Sequence, residues 1–263
     1  MSETLTRAIS GIVYIALLIG ATLFDQLAFE ILFSFFLLVG AFEFSKLIKL
    51  PKSLCLFVAA LAIAIVFWKR DLLPSIAIAT FGILTLLALM AELFSKRQPN
   101  RSLPIKLIIF LGYIIAPFIT LLFLPITKES GYLPQIIIGM FILIWTNDTF
   151  AYIVGKKFGK NKLFERISPK KTIEGFIGGI IFTILAGIIL SQYFDFFSIV
   201  IWISSAIFVG IFGTIGDLVE SRFKREAGVK DSGAIMPGHG GILDRLDSVI
   251  FVAPFLYIIF QIL

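Results

Sequence analysis

Cysteine is all but missing from this 263-residue chain, and the single Cys55 excludes an intrachain disulfide and any cysteine-cluster metal site. Histidine is equally scarce. His239 stands without a second histidine or a nearby cysteine, which argues against zinc and leaves it as a phosphate or carboxylate hydrogen-bond partner or a structural residue. Charged residues make up only 15% of the chain, against about 25% in soluble domains. Ten prolines, with no repeat and no low-complexity tract, exclude a collagenous or disordered protein. What fills the chain instead is apolar. Hydrophobic residues reach 59%, phenylalanines number 29 and the mean hydropathy is +1.01. An aqueous fold cannot bury that much apolar surface, whereas lipid can cover it. The net charge of +6 would suggest a nucleic-acid partner in a soluble protein. In a membrane chain the basic residues collect on the cytoplasmic side, so no nucleic acid is expected.

A spanning helix needs about 20 apolar residues. About nine such segments are expected, near 8–24, 27–45, 54–68, 72–94, 105–125, 133–154, 173–193, 196–219 and 247–263. The second and third are the least sharply bounded, because only Asp25 and Gln26 interrupt the first two and the third is short. With the N-terminus inside, 20 of the 23 basic residues fall on cytoplasmic segments and only Lys69, Arg70 and Lys128 fall outside. The first span lacks a small-x-small cleavage pattern and is read as an uncleaved helix. The expected fold is therefore an all-α, polytopic integral membrane protein with a cytoplasmic N-terminus. It forms one domain over residues 1–263, with N-terminal helices at 1–103 and catalytic helices and cytoplasmic loops at 104–263.

The polar residues that interrupt this pattern gather after residue 145. Asp148 lies in an apolar stretch between Asn147 and Thr149, where a charge near mid-membrane costs about 2.5–3.5 kcal/mol on insertion scales. It is a candidate functional group, with a helix–helix clasp as the alternative. Asp217, Glu220, Ser221 and Lys224 recur at i, i+3, i+4 and i+7 and share one helix face. Glu220 with Lys224 is adequately read as an interfacial salt bridge. Asp217 has no stem long enough to snorkel. The following segment, KDSGAIMPGHGGILDRLD at 230–247, is too rich in glycine and proline for regular helix. It enters a helix near Ile242, where convergent N–H groups suit phosphate; a plain hinge has the same composition. Asp244 and Asp247 follow three apart with Arg245 beside them. Paired carboxylates facing a phosphate site suggest Mg²⁺, which takes one or two carboxylates and completes its shell with phosphate and water. Asp217 supplies a third. Lys170, Lys171, Lys224, Arg225 and Lys230 are placed to clamp a triphosphate, whereas the lysines at 156–162 are read mostly as positive-inside charge for anionic headgroups.

The run Ser221-Arg-Phe-Lys224-Arg225-x4-Lys230-Asp231-x-Gly233-x3-Pro237-x-His239-Gly240-Gly241-x2-Asp244-Arg245-x-Asp247 resembles the signature of phosphatidate cytidylyltransferases. Met236 departs from it conservatively, standing where that family usually has Leu, Ile or Phe. The stretches Trp145-x2-Asp148-Thr149-x-Ala151-Tyr152-x2-Gly155-Lys156 and Ser168-Pro169-Lys170-Lys171-Thr172-x-Glu174-Gly175 are also similar to that family, so the likeness covers 145–247. The resemblance implies transfer of CMP from CTP to phosphatidate, giving CDP-diacylglycerol and pyrophosphate, with Mg²⁺ as cofactor and the active site on the cytoplasmic face of the inner membrane. It implies that Asp217, Asp244 and Asp247 hold the metal and that Ser221, Lys224 and Arg225 bind phosphate. Asp148, Ser168, Lys171 and Thr172 then shape a substrate pocket, and Lys170, Lys230, Asp231, His239, Gly240, Gly241 and Arg245 complete the binding surface. The expected partners are CTP, phosphatidate and the bilayer, and a homodimer is compatible with this reading. A CTP-dependent polyprenol kinase is the alternative enzyme. A secondary transporter is disfavoured, because no matching break appears before residue 145.

Overall fold

The computed structural model describes residues 3–95, 99–127 and 130–262. Lys96, Arg97 and Lys128, used in the charge count, lie outside these residues. Within them the fold is helical apart from two small antiparallel ribbons. Helix α1 (Glu3–Phe24) ends at Asp25, whose carboxylate accepts a 2.6 Å bond from the Ala28 N–H and caps α2 (Gln26–Ile48). One polar residue thus separates two spans. Helix α2 stops at Lys49, which adopts a left-handed conformation ahead of Pro51, and α3 (Lys52–Lys69) and α4 (Ser75–Phe94) follow.

Two spans that read as uniform in sequence contain an irregular turn. Helix α5 (Leu103–Phe110) passes through a π turn at Leu111–Ile115 into α6 (Ala116–Phe123). Helix α9 (Ile199–Phe208) likewise passes through Val209–Gly213 into α10 (Thr214–Glu226). Between them stand α7 (Pro134–Phe158) and α8 (Ile173–Tyr193), and α11 (Leu243–Ile262) ends the fold. The ribbons are β1 (Ile126–Thr127) with β2 (Gly131–Tyr132), and β3 (Lys162–Phe164) with β4 (Ser168–Thr172).

Among the described residues, eight helical stretches are long and apolar enough to cross a membrane, with α5–α6 and α9–α10 each counting once. Helix α11 is the central element. Leu243, Leu246 and the run from Val249 to Tyr257 are buried, and α10, α6, α4, α9 and α2 all pack against it. The periphery is apolar. On α8 the large residues Ile177, Ile181, Leu185 and Ile189 are exposed at four-residue spacing, while Gly175, Gly178, Gly179, Thr183 and Gly187 face the protein. This is the arrangement of a helix whose large side chains meet lipid and whose small ones admit a neighbouring backbone. Helix α10 extends past the expected end near 219, because Arg222 pairs with Glu226 at 2.7 Å and Arg101 pairs with Glu226 and Glu92.

Candidate active site

Helix α10 presents Asp217, Glu220, Ser221 and Lys224 toward the first turns of α11. The two backbones touch at Gly216, where a Cβ would lie 2.7 Å from the Asp247 carbonyl oxygen and from the Phe251 Cβ. That close approach brings one oxygen each of Asp217, Glu220 and Asp247 within 4.8 Å of one another. Glu220 is fully buried. One of its oxygens accepts from the Lys224 ammonium at 2.6 Å, and the other has no hydrogen-bond partner among the described residues. The Ser221 hydroxyl donates to Asp217 at 3.2 Å, and Lys171 forms an ion pair with the other Asp217 oxygen. Three hard oxygen donors with one orphaned, buried atom suit a divalent cation such as Mg²⁺ or Ca²⁺, and they repel one another without a cation.

Asp244 is committed differently from its neighbours. One oxygen takes a 2.6 Å bond from Lys224; the other accepts from the Ser232 N–H at 2.9 Å, the Gly241 N–H at 2.7 Å and the Ser232 hydroxyl. The carboxylate therefore fastens the 227–242 loop to α10 and stands apart from the three-acid group. Sequence reading directed the N–H groups at the start of α11 toward phosphate, but the structure gives them to carboxylates. Gly241 donates to Asp244, while Ile242 and Leu243 donate at 3.2 and 2.9 Å to Glu43 of α2. In the loop, Gly238 and Gly240 have φ of 76° and 87°, a region that L side chains rarely adopt, and they close the turn in which Met236 donates to Gly240 at 3.0 Å.

Three cavities surround these residues. The first, of about 610 Å³, lies between α7, α8 and the β3–β4 ribbon, and is lined by Asp148, Tyr152, Lys156, Lys162, Lys170, Lys171, Thr172 and Asp217. A second, of about 210 Å³, is lined by Asp148, Asp244, Arg245, Asp247 and His239 together with Tyr14 of α1 and Trp145. Asp148 borders both. A third, of about 510 Å³, opens over the loop and is lined by Arg7, Lys230, Asp231, His239, Gly240 and Arg245. The His239 ring is 2.7 Å from the Ser10 hydroxyl through Nδ1. Partial burial, then Arg245 and Arg7, lower its pKa from the ordinary value of 6.5.

The structure thus gathers Asp148, Lys170, Lys171, Thr172, Asp217, Asp244, Asp247, Lys230, Asp231, His239, Gly240, Gly241 and Arg245 at one end of the bundle. Arg225 lies apart from these cavities and donates to the Val229 carbonyl at 3.1 Å. Ser168 pairs in register with Phe164 in the ribbon and does not line the large cavity. Lys162, read from sequence as general positive charge, lines that cavity and donates to the Pro169 carbonyl at 2.7 Å. Sequence reading passed over Glu43, Tyr14, Ser10 and Arg7, and assigned Glu220 only to Lys224. The one available signal for Glu43 was an acid inside an apolar span.

Apolar periphery, central helix and a terminal nest of acids and lysines define a class, that of a polytopic membrane protein with its charged and acidic side chains gathered at one end of the bundle. The chain belongs to the cytidylyltransferase family, whose model matches residues 5–263. The phosphatidate cytidylyltransferase of Staphylococcus saprophyticus is 37% identical over 269 residues, covering 98% of this chain and 97% of that protein. That of Staphylococcus haemolyticus is 36% identical over 271 residues with the same coverage. A Staphylococcus epidermidis relative of the same name is 49% identical over 134 residues, about half of each chain.

Proposed function

We propose that the protein is a phosphatidate cytidylyltransferase, joining the phosphate of phosphatidate to the CMP portion of CTP. The observation that carries this reading is the convergence of Asp217, Glu220 and Asp247 beside a lysine-walled cavity, in a chain of this family. A phosphatidate oxygen attacks the α-phosphorus, the α–β bridging P–O bond breaks, and the electron pair leaves with pyrophosphate. The nucleophile is already an anion near neutral pH, so the chain needs no general base. It needs positive charge and alignment.

Lys156, Lys162, Lys170 and Lys171 line the cavity in which two anions have to meet, and they offset the repulsion between them. Asp217, Glu220 and Asp247 would hold the Mg²⁺, which when bound supplies charge neutralisation at the transferring phosphate. Asp244 keeps Lys224 and the loop in place rather than joining that set. Asp148 lines both the large cavity and the smaller one beside α11 and so stands where the two substrates would adjoin. The cavity is also lined by the apolar Ala151 and Phe176 and by Tyr152, which is exposed on α7. Acyl chains can therefore stay in lipid while the headgroup enters. With the N-terminus inside, the end of the bundle that carries Arg7, the lysines of 156–171 and the clustered acids faces the cytoplasm, where CTP is found.

The test is purified protein with phosphatidate, Mg²⁺ and CTP labelled at the α-phosphorus. The expected products are a labelled lipid and unlabelled pyrophosphate. Labelled CDP with an unlabelled phospholipid would assign the chain to γ-phosphoryl transfer and overturn the proposal.

A further inference from the structure

Helix α2 carries a carboxylate that belongs to the far end of the chain. Glu43 is 1% exposed and accepts three bonds, from the Ile242 and Leu243 N–H groups and, at 3.2 Å, from the Ser232 hydroxyl. Two of these donors are backbone N–H groups at the start of α11, which have no intrahelical acceptor. A local cap ties a helix only to itself. A carboxylate from α2 ties the start of α11 to a second helix and fixes where α11 sits along its own axis. The surroundings are built for the contact, since a Cβ on Gly241 would come within 2.5 Å of both Glu43 oxygens.

The network continues toward the acids. Ser232 lies within hydrogen-bond reach of both Glu43 and Asp244, Asp244 holds Lys224, and Lys224 holds Glu220. Leu243, bonded to Glu43, is one helical turn before Asp247. A slip of α11 therefore moves Asp247 directly against Asp217 and Glu220.

We propose that Glu43 is a positioning residue for the reaction: its buried carboxylate sets the first turn of α11 and the 232–241 loop so that Asp247 meets Asp217 and Glu220 while Asp244 meets Lys224. The inference rests on the cytidylyltransferase reading. Failure of that reading appears as absence of CMP transfer by the unaltered protein, before any variant is compared.

The experiment compares E43A, E43Q and S232A with the parent and with E30Q, which alters the other buried acid of α2, paired at 2.7 Å with Arg70. A displacement of about 1 Å at a reacting centre is worth about 100-fold in rate. Accordingly, E43A is expected to lower kcat per folded molecule by about 100-fold, with KM for CTP changed less than about threefold. E43Q, which keeps one acceptor oxygen, is expected to lose about tenfold, S232A less, and E30Q under about threefold. In metal-free protein, hydrogen–deuterium exchange is expected to quicken in E43Q across the peptide containing Ile242 and Leu243 while α8 is unchanged. Should E43A fail to fold, E43Q and S232A carry the test. A kcat within about threefold of the parent in folded E43Q, with unaltered exchange at 242–243, overturns the proposal, as does an equal fall in E30Q.

Discussion

Asp217 and Asp247 meet because a glycine lets two helices touch, and Glu220 joins them because only one of its oxygens is taken by Lys224. D217N and D247N are expected to lower turnover by at least about 100-fold, since each removes one of the three charges proposed to hold the cation. E220Q is the sharper measurement. If Glu220 serves the cation, E220Q raises the Mg²⁺ concentration for half-maximal turnover; if it serves only Lys224, the Mg²⁺ dependence stays where it was. His239 gives a pH dependence of a different kind. Its folded pKa lies below the ordinary 6.5, so in the window between the two values the unfolded chain binds more protons and stability rises with pH. As pH falls through 6.5 toward the folded pKa, the parent is expected to lose thermal stability more steeply than H239Q. Unfolding midpoints between pH 5 and 7.5 check this.

Helix contacts determine how the residues meet, and Gly216 is where α10 and α11 approach each other. G216A places a methyl 2.7 Å from the Asp247 carbonyl oxygen and is expected to destabilise by about 1–3 kcal/mol through overpacking. Turnover falls with it as α10 and α11 separate. G20A, at a position with nothing within 4 Å, is the control, and thermal unfolding in detergent with parallel rate measurements separates the two. The spans themselves were readable in advance, because 20-residue apolar runs and a cap as strong as Asp25 are local signals. The π turns at Leu111–Ile115 and Val209–Gly213 were less so: Pro117, which lacks the N–H that would bond Tyr113, follows the first, no proline marks the second, and the helix continues on both sides of each. The carboxylates after residue 145 were legible from helical spacing. Their division of labour was not, because Asp244 and Asp247 have the same chemistry and only the loop folding back onto Asp244 distinguishes them. Glu43 was hidden for a simpler reason: its donors lie about 200 residues away.

For the molecule as a whole, the distribution of basic residues supports the proposal that the lysine-walled end lies inside. The free thiol Cys55 is buried, so a C55S background accepts single reporter cysteines. In intact cells, a membrane-impermeant thiol reagent is expected to label a cysteine placed at Asp71 and to leave one at Lys230 unlabelled until the membrane is opened. The reverse pattern would turn the site outward, away from its nucleotide. The contact between α2 and α11 also has a consequence for biogenesis. At about 5–20 residues per second, a ribosome takes about 10–40 s to make the 200 residues that separate Glu43 from Leu243. Throughout that interval the acid of α2 waits for donors that have not been synthesised, so a nascent chain cut short before its last helix lacks the backbone N–H groups that Glu43 accepts from in the folded protein.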